Sequence, residues 1–450
     1  MTSYLERFDQ TPVAGRWPLV RRWIFEEPLP FFSELRKNRP VLVMPEVVLA
    51  ARFADCDEIL RRYDTFSVAL YKPKQGGYWM AEDDTAIHWR DKSIVKSILD
   101  REDIPAIREY VGKKTSAFLA SANGAIDAVD GLTRAVPIAF VQDWFGFTHS
   151  DPKELQRWSY WNQMDAFWNQ PFDSVAVPDP AHIVREREAA NIAMAAYLVL
   201  LVGRRALEVK ARAGWDDSVL HKLTGLVSTA IKDLEALVHK PAAEAEAGTE
   251  GNDPVSRLLM LSFSNALKFD VESVVLNVGG LLIGTVETTS HTVVNALNYL
   301  CQQPELLAGA RAAAAAGDLA AFDGYVFEAL RFMPAFPYTF RVCERDTALA
   351  RGTEYQTPIT AGQTVLAVTH SAMFDEHAFA HPDEFDPSRG LNGMFLFGLG
   401  LHECLGRAIG AVMIPEIVRQ CLLLPDLKVG PVDYKGGPVP ESWQWSWRTT

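Results

Sequence analysis

Long runs of apolar residues, and the few polar residues that interrupt them, set the pattern of this chain. The stretch between Glu272 and Glu287 is almost wholly apolar, and the run at 407–424 has the spacing of a core helix. A helix that is hydrophobic nearly all round is buried inside a large protein. The first run is also too short between its charges to span a bilayer. The pattern therefore predicts a long helix at the centre of the protein.

A band of large side chains recurs at helical spacing in the first half of the chain. Its members are Trp158, Tyr160, Trp161, Met164, Phe167 and Trp168. A stripe of this kind is core packing about as often as it is the wall of a pocket. Both interpretations remain open from the pattern alone.

Length and composition are typical of a globular protein with a large core. The chain has 450 residues, of which 48% are hydrophobic and 22% are charged. No clear linker divides it, so we expect one domain over residues 1–450. The most polar stretch, residues 241–253, is typical of a surface connection between helices.

Charge and cysteine usage restrict function and location. The formal net charge of −13 argues against general binding to nucleic acid, because phosphate contacts need a basic face. The N-terminal ten residues contain no apolar segment, so we expect neither a secretory signal nor a membrane anchor. The cysteines form no disulfide framework, which indicates a reducing, cytoplasmic location. They are Cys56, Cys301, Cys343, Cys404 and Cys421.

One cysteine stands in a glycine-rich stretch directly before the second apolar run. Cys404 lies at the expected N-terminus of that helix, where the helix dipole and free N–H groups favour a thiolate. Gly400 and Gly406 let the backbone approach a flat group, since no Cβ intervenes. A lone cysteine before a helix is usually only a small buried hydrophobe. A zinc site would lack ligands, because no CxxC or second Cys/His pair occurs.

Glu287 and Thr288 interrupt the central apolar run. Gly284 lies four residues before Thr288, so the threonine hydroxyl can bond the Gly284 carbonyl and open the helix locally. An acid beside a hydroxyl is suited to stepwise proton delivery. The alternative is a threonine that only bonds its own helix and a glutamate that faces solvent.

The decapeptide from Phe397 to Gly406, with Cys404 near its end, resembles the haem-binding loop of the cytochrome P450 superfamily. The resemblance implies a mainly α fold with a small β region near the N-terminus and a long central helix over the haem. It also implies haem b (iron protoporphyrin IX) as cofactor, with Cys404 as the iron ligand and Phe397 and Gly406 beside it.

The polar residues of the central run resemble the distal motif of the same family. The resemblance implies that Glu287 and Thr288 manage protons and that a groove at Gly284 admits O2. The family usually has glycine where Thr285 stands, which narrows this groove. A second departure is Met373-Phe374, where the family usually has Asn-Arg.

Four residues are implied to bind the two haem carboxylates: His88, Lys92, Arg341 and His402. His88 and Lys92 are four residues apart on a helix, so they lie on one face. The family more often has arginine where Lys92 stands. Each of the four taken alone is also compatible with ordinary surface chemistry.

Glu328 and Arg331 lie one helical turn apart. Such a pair is usually a surface salt bridge of little energetic value. Apolar neighbours on the same helix predict that this pair is buried, with Arg389 as a third member. It resembles the buried ion cluster of the family, and its expected role is structural.

The resemblance also indicates which residues face the substrate. They are Trp79, Trp161, Phe167, Gly284, Phe336 and Tyr338. Aromatic side chains dominate this set, which makes a bulky apolar or aromatic small molecule the expected substrate. Lys72 or Lys74 is a candidate for binding a substrate carboxylate, although exposed lysines usually bind nothing specific.

The expected function is a haem-thiolate monooxygenase that inserts one oxygen atom from O2 into its substrate. The sequence has no nucleotide-binding glycine fingerprint and no iron–sulfur cysteine cluster, so a separate ferredoxin-type donor and its NAD(P)H reductase are implied. Lys92, Lys96 and Arg407 are candidates for the docking patch. Alternatives are a peroxide-driven peroxygenase or hydroperoxide isomerase, and a non-catalytic haem-binding or sensing protein.

Overall fold

Helices form most of the protein. The computed structural model describes residues 3–99, 101–213, 253–262 and 267–449, so most of the polar stretch at 241–253 lies outside the described residues. The helices are α1 Tyr4–Gln10, α2 Val13–Glu26, α3 Pro28–Asn38, α4 Phe53–Arg61, α5 Lys72–Gln75, α6 Ala86–Ile98, α7 Ile104–Ser121, α8 Ala135–Asp143, α9 Pro152–Trp168, α10 Pro180–Ala213, α11 Pro254–Ser262, α12 Val271–Cys301, α13 Pro304–Ala316, α14 Leu319–Phe332, α15 Thr369–Ala372 and α16 Arg407–Leu422.

Short strands form three small sheets. The strands are β1 Val41–Val43, β2 Val48–Ala50, β3 Phe66–Ser67, β4 Ala125–Asp127, β5 Thr339–Cys343, β6 Thr347–Leu349, β7 Thr357–Ile359, β8 Thr364–Ala367, β9 Lys428–Asp433 and β10 Ser442–Ser446. The largest sheet has the order β1-β2-β8-β5-β3, in which only β2 and β8 are parallel. The predicted β region near the N-terminus is therefore only partly correct. Strands β5 and β8, from the C-terminal half of the chain, complete this sheet.

The central helix α12 begins where Asp270 caps it. The Asp270 carboxylate accepts a hydrogen bond from the N–H of Ser273 at 2.8 Å, which satisfies one of the free donors of the first turn. Helices α9, α10, α14 and α16 surround it. Most of its buried residues are apolar, which agrees with its almost continuous apolar sequence.

Two helices are long and apolar enough to cross a membrane by length and composition. They are Pro180–Ala206 and Val271–Cys301, and 39% and 50% of their most apolar windows are buried inside the protein. The second is the central helix. Its enclosure by other helices is what a core helix of a globular protein shows.

A buried ion cluster joins α14 to the segment before the cysteine loop. Arg331 Nη2 lies 2.6 Å from Glu328 Oε1, and Arg389 Nε lies 3.2 Å from the same oxygen. Arg331 also donates to the carbonyls of Met373 and Pro382. The expected burial of Glu328 and Arg331 and their contact with Arg389 are confirmed. Met373, the unusual residue at this position, is tolerated because Arg331 bonds the backbone carbonyl of Met373 and not its side chain.

Candidate active site

Cys404 lies at the end of a tight loop that leads into α16. Its N–H donates to the carbonyl of Phe397 at 2.8 Å, which closes the loop. At Gly400 the backbone has a φ of +74°, and a Cβ would lie 2.5 Å from the carbonyl oxygen of Leu60, so a side chain is excluded there. Cys404 is exposed, whereas three of the other four cysteines are buried. The loop presents one accessible thiol at a helix N-terminus.

Opposing effects act on the thiol of Cys404. Desolvation by the surrounding protein raises its pKa, and the carboxylate of Glu403 acts in the same direction. The N–H of Gly406 and the ammonium of Lys92 lower the pKa. A metal cation would bind the deprotonated form, because the thiolate is the ligand.

Two buried histidines lie together beside this loop. The rings of His88 and His402 are 5.1 Å apart and nearly perpendicular. His88 Nδ1 lies 3.0 Å and 2.9 Å from the carbonyls of Trp79 and Glu82, so Nδ1 carries a proton. His402 Nε2 lies 3.1 Å from Asp83 Oδ1. The second nitrogen of each ring is buried without a hydrogen-bond partner in the described part of the chain. These nitrogens can form hydrogen bonds with the polar atoms of a bound group.

Lys92 and Arg341 add two cations to the histidine pair. The ammonium of Lys92 donates to the carbonyl of Leu401, next to His402 in the loop. Arg341 is buried on β5, and its charge contributes to lowering the pKa of His402. Burial is the larger effect and lowers that pKa to about 4, against the opposing influence of Asp83. The structure thus brings together all four residues that the sequence assigned to two carboxylates.

The middle of α12 contains two threonines that bond their own helix. Thr288 Oγ1 donates to the Gly284 carbonyl at 2.6 Å, as expected, and Thr285 Oγ1 donates to the Leu281 carbonyl at 2.7 Å. The helix nevertheless stays α-helical from Val271 to Cys301, so the expected local opening is wrong. Space at this point comes from Gly284 itself. It is exposed, and no described atom lies within 4 Å of where its Cβ would be.

Glu287 is buried in an ion pair that the sequence analysis missed. Its Oε2 lies 3.0 Å from Nη2 of Arg134, which ends the helical turn Val129–Arg134. Arg134 also lies 2.8 Å from Asp130 and 3.3 Å from Glu441. Burial raises the pKa of Glu287 to about 7, although Arg134 opposes this. The solvent-facing alternative is wrong. The sequence signal that could have identified this partner is Arg134, a single arginine beside an apolar run.

Aromatic rings from three segments meet near the C-terminal end of α9. Phe336, which precedes β5, stacks on Trp168 at 5.6 Å and lies 5.2 Å from Phe167. His291 of α12 lies 6.1 Å from Phe336. Trp161 packs in the same hydrophobic cluster, about two turns earlier on α9. The C-terminal end of the aromatic band therefore packs with Phe336 and faces His291 of α12, a residue that the sequence analysis missed.

Two residues expected at the substrate pocket lie elsewhere. Tyr338 packs against Phe172 in the N-terminal hydrophobic cluster. Phe340, two residues further along, lies in the same cluster. Every second side chain of an extended segment points to the same side. Trp79 is edge-on to His88 at 5.2 Å and so packs beside the residues predicted to bind the haem carboxylates.

Lys72 and Lys74 are both engaged in ion pairs within the protein. Lys74 Nζ lies 2.8 Å from Asp165 Oδ1, and Lys72 Nζ lies 3.1 Å from Glu82 Oε2. Asp165 is almost fully buried and also lies 3.0 Å from Arg187, so two cations neutralise its buried charge. Both ammonium groups already have a carboxylate partner, so these contacts do not support the hypothesis that one of the lysines binds a substrate carboxylate, and it stays a prediction.

Tyr78 is a second residue that the sequence analysis missed. A Cβ on Gly280 of α12 would lie 2.3 Å from the Tyr78 phenol, so the ring packs directly on that glycine. Burial raises the pKa of Tyr78, and the charge of Cys404 acts in the same direction. The phenol therefore lies between the central helix and the cysteine loop.

Comparison with known proteins decides the family. The sequence model of the cytochrome P450 family matches residues 215–433. Cytochrome P450 monooxygenase PikC of Streptomyces venezuelae is 25% identical over 426 residues, which cover 89% of this chain and 85% of that protein. This chain belongs to the cytochrome P450 family. It is a cytochrome P450 monooxygenase, and haem b is its cofactor.

Other relatives and solved structures agree with this assignment. Steroid C26-monooxygenase of Mycobacterium tuberculosis (strain CDC 1551 / Oshkosh) is 27% identical over 227 residues, 48% of this chain and 57% of that protein. The structure of CYP164A2 of Mycobacterium smegmatis has a TM-score of 0.72 at 19% identity and covers 96% of this chain and 100% of that chain. The open form of EryK of S. erythraea has a TM-score of 0.70 at 22% identity, with 94% and 96% covered. The P450 fold is thereby confirmed.

The residues of the site fit a haem group. Cys404 offers an exposed sulfur, the ligand type that holds iron in P450 proteins. His88 and His402 offer buried ring nitrogens that no described residue occupies. Lys92 and Arg341 add positive charge for two carboxylates, and charge-assisted hydrogen bonds of this kind are strong.

Proposed function

We propose that Cys404 is the axial ligand of the haem iron in this P450, and that His88, Lys92, Arg341 and His402 bind the two haem carboxylates. The single observation that supports this most is the exposed Cys404 thiol in a loop closed by its bond to Phe397. Thiolate-bound haem supplies the activation of O2, because the thiolate favours O–O cleavage. Phe397 packs on the start of α16, where a Cβ on Gly410 would lie 2.8 Å from its ring, and so fixes the loop.

Glu287 and Thr288 are proposed to hold and transfer protons on the central helix. The Thr288 hydroxyl donates its hydrogen to the Gly284 carbonyl, so its oxygen lone pairs are free to accept a hydrogen bond from a proton-carrying group. Glu287 has a pKa of about 7, so its carboxyl group is partly protonated at neutral pH. Arg134 holds this carboxyl group in place through Oε2, while Oε1 has no partner among the described residues.

The proposed substrate is an apolar or aromatic small molecule. Phe336, Phe167 and Trp161 supply apolar walls, and Gly284 leaves open space on the central helix. Burial of apolar surface against such walls would supply most of the binding free energy. One relative is named a steroid C26-monooxygenase, and a steroid is a molecule of this class.

Electrons are proposed to come from a separate ferredoxin-type protein and its NAD(P)H reductase in the cytoplasm. Lys96 is exposed on α6 and remains a candidate for the docking patch. Lys92 is directed to the Leu401 carbonyl, and Arg407 is paired with Glu403. These two residues are therefore weaker candidates than the sequence indicated.

The test is to supply the haem-loaded protein with a surrogate ferredoxin, its reductase, NADPH and 18O2, and to screen apolar compounds for labelled products. One labelled oxygen atom per product is expected. Products formed only when hydrogen peroxide replaces the redox partner would support the peroxygenase alternative. Absence of turnover for every ligand that shifts the haem spectrum would favour a sensing protein.

A further inference from the structure

His291 lies on nearly the same face of the central helix as Gly284. It follows Gly284 by seven residues, which is two helical turns, so the two residues lie on nearly the same face. Gly284 is exposed on this helix, and no described atom lies within 4 Å of its Cβ position. His291 lies about 10 Å further along the helix than Gly284, and its ring lies 6.1 Å from Phe336, a proposed wall of the substrate site.

The imidazole of His291 has an unusual environment for a buried polar group. It is 5% exposed, and its Nδ1 has no hydrogen-bond partner among the residues that the structure describes. The ring lies 6.3 Å from that of Trp168 and 6.1 Å from that of Phe336. Trp168 Nε1 is likewise buried without a described partner. Two ring nitrogens without a described partner are thus buried where His291 and Trp168 meet Phe336.

Leaving a buried polar atom unpaired is costly, at roughly 1–3 kcal/mol. A ligand that supplies the missing hydrogen bond would recover this cost and gain specificity. Burial lowers the pKa of His291 to about 4, and Arg134 acts in the same direction. The ring is therefore neutral at pH 7 and offers one donor and one acceptor.

Charged groups near this space are already paired. Glu287, one turn before His291, is held by Arg134 at 3.0 Å. Lys74 of α5 is held by the buried Asp165 at 2.8 Å. A substrate carboxylate would find no free cation among these residues, so an anionic substrate is disfavoured.

We propose that His291 is a specificity-determining residue that hydrogen-bonds a neutral hydroxyl group on a planar, otherwise apolar substrate lying against Trp168 and Phe336. A hydroxyl group both donates and accepts, so it can pair with either tautomer of the imidazole. This inference rests on the proposed function, because it takes the space beside Gly284 as the substrate site. It adds a neutral alcohol or phenol as the substrate class.

The experiment uses three probes with the same ring system: 2-naphthol, 2-methylnaphthalene and 2-naphthoate. Dissociation constants are measured for the haem-loaded protein at pH 7 by the shift of the haem absorption band and independently by equilibrium dialysis. His291→Phe keeps a planar ring beside Trp168 and removes both nitrogens, and His291→Leu is a second variant in case the first does not fold. Thr292→Val is the matched control, because the Thr292 hydroxyl already bonds the Thr288 carbonyl at 2.7 Å.

The wild type is expected to bind 2-naphthol and to exclude 2-naphthoate. His291→Phe should reduce the preference for 2-naphthol over 2-methylnaphthalene by about three- to tenfold, the size of one hydrogen bond. Thr292→Val should leave this preference unchanged. An equal preference in wild type and His291→Phe, or tighter binding of 2-naphthoate than of 2-naphthol by the wild type, would overturn the inference. Failure of the proposed function would instead appear as loss of the thiolate-type haem spectrum before any probe is added.

Discussion

Glu287 and Arg134 form a buried ion pair, with 3.0 Å between Glu287 Oε2 and Arg134 Nη2 and with side chains that are 5% and 3% exposed. The pair joins the central helix to the turn that precedes α8. On the far side of Arg134, Glu441 accepts a hydrogen bond from Tyr160 at 2.6 Å. The proposed proton donor is therefore one end of a charged network that spans three segments of the chain.

The raised pKa of Glu287 predicts a pH-dependent contribution to stability. In the unfolded chain the carboxyl group loses its proton near its ordinary pKa of 4.5, whereas in the folded protein it keeps it to about 7. The folded state binds more protons in this interval, so stability falls as pH rises through it, by up to about 1.4 kcal/mol per pH unit. Urea unfolding of wild type and Glu287→Gln from pH 4.5 to 8 checks this. Parallel pH profiles would contradict the raised pKa.

Arg134 is predicted to stabilise the folded protein mainly by neutralising the carboxylates that it contacts. Arg134→Met leaves Glu287 and Glu441 without their cation and should cost about 3–5 kcal/mol of unfolding free energy. The double variant Arg134→Met/Glu287→Gln should recover part of this loss, because no buried charge is left on the helix. Arg157→Met, which removes a half-exposed arginine paired with Glu154, is the control and should change stability by less than about 1 kcal/mol. Additive losses in the double variant would show that the pair is not coupled.

Local sequence signals predicted much of the site, and long-range contacts account for what was missed. The closed loop at Cys404 and the bond from Thr288 to Gly284 join residues at most seven apart in the chain. Their geometry follows from turn and helix chemistry. Arg134 meets Glu287 across 153 residues, and nothing local specifies that contact.

The same limit explains the misplaced and missed pocket residues. Tyr338 was expected at the pocket, but the side of a strand that faces a pocket depends on which helices pack on it. His291 lies in an apolar run, where a lone histidine is usually core. Its importance becomes visible only when the rings of Trp168 and Phe336 are placed beside it.

Thr288→Ala tests the proposed proton transfer. The substitution removes a hydroxyl that can accept a hydrogen bond and relay a proton, and it leaves the cysteine loop untouched, so haem content and substrate affinity should stay nearly the same. NADPH consumption should continue while product per NADPH falls and released hydrogen peroxide rises. Thr285→Ala is the matched control, because Thr285 also bonds its own helix. If coupling is unchanged in Thr288→Ala and lost in Thr285→Ala, the proton-transferring hydroxyl belongs to Thr285.

Glu328→Ala tests the buried ion cluster. Arg331 would remain fully buried without its carboxylate, which should cost about 3–5 kcal/mol and prevent stable haem incorporation. The control is Glu384→Ala in the segment before the cysteine loop. The side chain of Glu384 is exposed, so its removal should change stability by less than about 0.5 kcal/mol. Unfolding free energy and haem content per chain are the two measurements. A haem-replete Glu328→Ala protein of normal stability would refute the structural role.

The absorption spectrum of the reduced protein with carbon monoxide tests the central claim most directly. Wild type should show the red-shifted Soret band of thiolate ligation, and Cys404→His should lose that band even if it retains haem. Cys301→Ala, which removes a half-buried cysteine on the central helix, should keep the wild-type spectrum. An unshifted, histidine-type band in the wild type, or a persistent red-shifted band in Cys404→His, would contradict the assignment of Cys404 as the iron ligand.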